Sequence, residues 1–198
     1  MAQGKQAKSI PNSRGPNTAA IKVLPARGKR IRIVAGTRRT LVDLTNDVAG
    51  CLKLYDSHPP KWIGNQPLGI KVIDSVRKDD KYYLVLLTSA QGGCNVTGYC
   101  GAATDHTLIW LKLGAGLKLE KKTSAVIEDC KANVYMAEPE DDRLDESPIK
   151  LVSGKLTIEY GQTLDGDIRT LSRLVYDRNS PEQSFVITDK EKKSQQER

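Results

Sequence analysis

The residues with most chemistry in this chain are four cysteines, Cys51, Cys94, Cys100 and Cys130, and the Asp105–His106 pair that follows the middle two. Four thiols allow three disulfide pairings. Cys94 and Cys100 sit in a loop rich in glycine (Gly92, Gly93, Gly98, Gly101), so the expected short bridge is Cys94–Cys100 and the expected long one Cys51–Cys130. Loop-closure entropy assigns about 2.4 kcal/mol to the short ring and about 4.5 kcal/mol to the long one. Such bridges persist where thiols oxidise, which places the chain in a periplasm or outside the cell. The first twenty residues hold no apolar leader segment, so an exported chain is read here as one whose leader has been removed.

Other chemistries fit these residues less well. Cys94, Cys100 and His106 fall at even six-residue intervals, whereas structural zinc prefers tighter C-x₂₋₄-C pairs, and no metal site is expected. Four reduced, buried cysteines in a cytoplasmic protein form the third reading, since free Cys behaves as a small apolar side chain. An Asp–His pair can act as a general base. On a strand, however, neighbouring residues point to opposite faces, so Asp105 and His106 are not expected to touch. His58, before Pro59-Pro60, reads as a loop residue. Six carboxylates between Glu138 and Glu146 lack the spacing of a calcium loop and read as a solvated segment. No nucleophile elbow, HExxH, Walker loop or dinucleotide-binding glycine pattern is present, so no catalytic residue is assigned and no cofactor is expected.

The remaining function is recognition. A glycine-rich loop held by a covalent clasp loses less entropy on binding. The expected contact surface is therefore the 90–106 loop, with Tyr99 as aromatic anchor and Asn95, Asp105 and His106 as polar contacts, facing a protein partner. An inhibitor or immunity-like protein fits that description. The alternative partner is nucleic acid. Net charge is +7, and residues 1–42 carry ten basic side chains and no acid, against 21 basic and 24 acidic residues in the remainder. Arg27, Lys29, Arg30, Arg32, Arg38 and Arg39 would neutralise phosphates, although no aromatics interleave with them to stack bases. A hydrolase whose active site leaves no linear motif is the third possibility.

These side chains need elements to position them. Short β-branched or aromatic runs bounded by turn residues predict strands at 30–34, 39–44, 49–54, 69–76, 81–89, 106–113, 122–129, 148–152, 154–160, 168–177 and 183–188. Asp79-Asp80, Ser153-Gly154 and Asp165-Gly166 suit tight reversals. The expected fold is all-β: an antiparallel sandwich or barrel of about ten short strands, or less readily a small propeller. Residues 1–18 read as a disordered basic arm, 19–188 as one domain, and 189–198 as a frayed charged tail. The longest apolar run is the six residues from Tyr82, far short of the about 20 that a membrane-crossing helix needs.

Overall fold

Tyr82–Leu87 and Leu108–Leu111 are apolar at consecutive positions, a pattern that suits strands covered on both faces and not on one. The computed structural model describes residues 21–50, 53–56, 61–65, 68–91, 100, 103–136, 149–164 and 167–191. In it the two runs lie in β7 (Lys81–Gln91) and β8 (Thr104–Leu113). These are the inner strands of an antiparallel four-stranded sheet, flanked by β6 (Gly69–Lys78) and β9 (Leu119–Glu128).

One face of this central sheet presents Leu84, Leu86, Ile109, Leu111 and Leu113, which pack with Ile31, Ile33, Ala35 and Val42. Those partners belong to an antiparallel meander of β1 (Ile21–Ala26), β2 (Arg30–Ala35) and β3 (Arg38–Asp43). The opposite face presents Tyr83, Val85, Leu87, Leu108 and Trp110, which pack with Leu156, Ile158, Leu174 and Tyr176. The latter come from a second four-stranded sheet, β10 (Val134–Met136), β11 (Lys155–Leu164), β12 (Asp167–Asp177) and β13 (Val186–Glu191). β4 (Lys53–Asp56) and β5 (Lys61–Asn65) pair with each other as a separate two-stranded sheet.

The all-β, sandwich-like class holds, with a third layer added. Alternate side chains of β7 and β8 feed two different cores, because successive residues of a strand point to opposite faces. Among the described residues no sheet closes into a barrel, and the stacked layers leave no radial blades. Two polar contacts lock the second core. Trp110, fully buried, donates its indole N–H to the Pro181 carbonyl at 2.9 Å. Tyr176 donates its hydroxyl to the buried Asp74 carboxylate at 2.9 Å, and Arg178 approaches the same carboxylate at 3.5 Å.

Several boundaries differ from expectation. The residues of 49–54 do not form one strand; β4 starts at Lys53. Of the expected strand 148–152, the described residues 149–152 contribute an isolated bridge at Val152 and the buried Ile149, because the chain turns at Ser153-Gly154 straight into β11. That turn runs at positive φ, 50° and 78°, as does Asp79-Asp80 at 51° and 58°, the backbone that matches the twist of a tight hairpin. Of the tail expected to fray over 189–198, residues 189–191 instead belong to β13, held by ladder pairing with β12. The arm 1–18 and residues 192–198 lie outside the described residues.

Candidate functional site

Most of the unusual chemistry gathers where β8 begins and β9 ends. The two strands are antiparallel neighbours, with His106 opposite Glu128 and a bulge immediately after that pair. The segment before β8 therefore emerges beside the segment after β9. There the chain reverses within residues 129–134: Asp129 and Val134 form a bridge, the Asp129 carboxylate accepts the N–H groups of Lys131 and Ala132, and Asn133 takes φ 54°.

This corner corrects the disulfide assignment. Cys100 bonds Cys130, with an S–S distance of 2.04 Å and Cα atoms 5.7 Å apart. The Cys94–Cys100 and Cys51–Cys130 pairings are thereby excluded, since each would need one of these sulfurs. Sequence proximity favoured the short loop, but the β8–β9 register decides which sulfurs meet. Cys51 and Cys94 lie outside the described residues, as do Asn95 and Tyr99 of the expected contact loop.

Asp105 also departs from its expected role. It is 2% exposed, so it makes no surface contact. One carboxylate oxygen accepts the Cys130 N–H at 3.0 Å, clamping the disulfide turn onto β8, and the other is buried without a hydrogen bond. Burial pushes this carboxyl above its ordinary pKa, opposed by the Cys130 N–H and reinforced by Asp129 and Glu128. On the same side, Lys29 donates to the Val48 carbonyl at 2.6 Å. Burial lowers the Lys29 pKa, while the charges of Asp105 and Asp129 act to raise it. Lys29 is thus a structural cation and not part of an open basic patch.

His106 points the other way, as the strand period requires. Its Nδ1 lies 2.6 Å from a Glu128 carboxylate oxygen, both side chains being about a quarter to a third exposed. Glu128, Cys130, Ala103, Thr104 and Tyr135 line an open cavity of about 330 Å³. That is near the lower bound of small-ligand pockets, about 300 Å³. Its lining combines an acidic residue, a threonine, one half-cystine of the disulfide and an exposed tyrosine. Such a lining suits a cation carried on an apolar stem.

The His106–Glu128 contact is also the base-and-orienter half of a hydrolytic constellation. The other half is missing among the described residues, where no hydroxyl or thiol hydrogen-bonds the imidazole. Among those residues, no group of three or more His, Cys, Asp or Glu is arranged to hold a metal ion. Glu128, Thr104 and Tyr135 escaped the sequence reading. Glu128 is an ordinary strand carboxylate until the register puts it opposite His106, and Tyr135 alone, an aromatic in a polar stretch, offered a signal.

The remaining basic residues sit on the first sheet. Arg30 pairs with Asp43 at 3.1 Å, and hydrogen bonds from Thr45 and Arg30 hold the Asp43 pKa at about 2. Arg27, Arg32, Arg38 and Arg39 are exposed, and none has an ion-pair partner among the described residues. No helix of the described residues is long and apolar enough to cross a membrane. No protein-family model, curated protein sequence or solved structure matches this chain.

Proposed function

We propose that this protein is an exported recognition module that binds another protein, receiving a lysine or arginine side chain of that partner at the Cys100–Cys130 corner. The observation that carries this reading is the cavity that Glu128 and Tyr135 line together with Cys130 of the disulfide. A basic side chain laid there sets its methylene stem on Tyr135 and the disulfide and its charge against Glu128. Tyr135 is 36% exposed, a large ring available to a partner. Aromatic residues at rigid, well-packed positions are the usual anchors of protein interfaces.

Rigidity supports the same reading. The corner is tied by the disulfide, by the Asp105 clamp on Cys130 and by the bridge at Asp129–Val134, so little conformational freedom remains to be lost on binding. A structural disulfide fits an oxidising compartment, which is why an exported protein is preferred.

A random-peptide display selection on the immobilised protein tests this directly. Enriched peptides should carry a Lys or Arg that is required for binding, and enrichment should vanish on the Glu128→Gln, Tyr135→Ala protein. Selection of the same peptides by that double variant, or of acidic peptides only, would remove this corner as the binding site.

A further inference from the structure

The outward face of β1–β2–β3 carries a pattern that the rest of the fold does not explain. The ladder aligns Lys22 with Val34 and Arg39, then Leu24 with Arg32 and Leu41, then Ala26 with Arg30 and Asp43. All of these point away from the core filled by Ile31, Ile33 and Val42 on the alternate positions. The last row is neutralised by the Arg30–Asp43 pair. The first two rows are a chequerboard of three cations and three apolar residues. Lys22, Arg32 and Arg39 have no ion-pair partner among the described residues. Leu24 is 45% exposed and Leu41 54%. Exposed Arg27 and Arg38 extend the positive field at the two turns.

We infer that this face docks on an anionic phospholipid surface. Its chemistry complements both parts of such a surface: the cations meet lipid phosphates, and Leu24 and Leu41 reach the apolar boundary just beneath them. Long basic side chains can lie along the surface with their heads at phosphate level while the leucines project deeper. A protein partner is less suited to so small a patch. Three strands spaced about 4.8 Å apart and six residues long offer about 280 Å². A stable protein interface takes about 800 Å² from each side. Nucleic acid is also less suited: the face has no aromatic for stacking, and two leucines would be placed against phosphates. Surface docking would leave the disulfide corner, in the other half of the chain, to a separate partner.

Vesicle co-sedimentation of the full chain is the test. One set of vesicles is phosphatidylcholine alone; the other also contains phosphatidylglycerol. Each cation near an anionic leaflet contributes about fivefold in partitioning, so three predict about a hundredfold preference for the phosphatidylglycerol vesicles, lost in high salt. Arg32→Gln with Arg39→Gln should weaken binding about 25-fold on the same scale. Leu24→Ser with Leu41→Ser should weaken it at every salt concentration. Unchanged cooperative melting of each variant separates surface effects from misfolding. Equal binding to both vesicle types, or binding that survives the paired arginine changes, would overturn the inference. So would leucine variants that bind vesicles as the parent does while duplex DNA competes through the same arginines, which would make the face a general polyanion site.

Discussion

Leu108 and Leu111 stand on opposite faces of β8, and each is fully buried, in a different core. Replacing either by alanine tests the three-layer arrangement, because a strand covered on one side would tolerate one of the two changes. Each substitution removes three carbon atoms from a fully buried position. At about 0.8 kcal/mol per methylene the transfer loss is about 2.4 kcal/mol. The cavity left behind raises the cost toward about 4 kcal/mol where neighbours cannot close in. Both sites lie on an inner strand of the central sheet, so little collapse is expected. Leu108→Ala and Leu111→Ala should therefore each lower the unfolding free energy by about 2.5–4 kcal/mol, read from urea unfolding with an unchanged m-value. Total stability of such domains is about 5–15 kcal/mol, so both single variants should still fold. A cost under about 1 kcal/mol for either leucine, the range of a surface substitution, would show that one of the two cores does not exist.

Non-reducing peptide mapping should recover a Cys100–Cys130 peptide, and a Cys94–Cys100 or Cys51–Cys130 peptide would refute the corner as described; loss of the crosslink should cost about 3.7 kcal/mol by loop-closure entropy. Tyr176→Phe should cost about 1.5–3 kcal/mol, since it strips a hydrogen bond from a buried carboxylate, and a neutral outcome in urea unfolding would mean Asp74 does not depend on it. Asp105 has a folded-state pKa raised above its unfolded value, so its favourable contribution is complete below the unfolded value and lost as pH rises through the folded one. Asp105→Asn, which does not ionise, should gain stability relative to the parent as pH is raised from acid to neutral, and parallel stability–pH curves for the two proteins would contradict this.

The strands themselves were legible because their cause is local. Alternation in Arg30–Val34, the apolar runs at Tyr82 and Leu108, and the paired turn residues at 79–80 and 153–154 each act over a few neighbours, and all became the expected strands or reversals. Strands with weaker local signals, such as β1, β5 and β10, were not foreseen. β10 has only three residues and is defined by its pairing to β11.

The candidate site was decided by contacts between residues far apart in the chain. His106 meets Glu128, Cys100 meets Cys130, and Asp105 meets the Cys130 N–H because β8 and β9 pair in one particular register. Residue types and spacing limited the cysteines to three pairings, and spacing alone pointed to the nearest partner. Choosing among them required the ladder, since a disulfide forms between sulfurs that the backbone brings within a few ångströms, whatever their separation in sequence. Likewise the count of cations in residues 1–42 is a property of the chain, but which of them remain open is a property of the fold. Lys29 turned inward to the Val48 carbonyl and Arg30 met Asp43, while alternation on a three-stranded sheet left Arg32 and Arg39 exposed on its outer face beside Leu24 and Leu41.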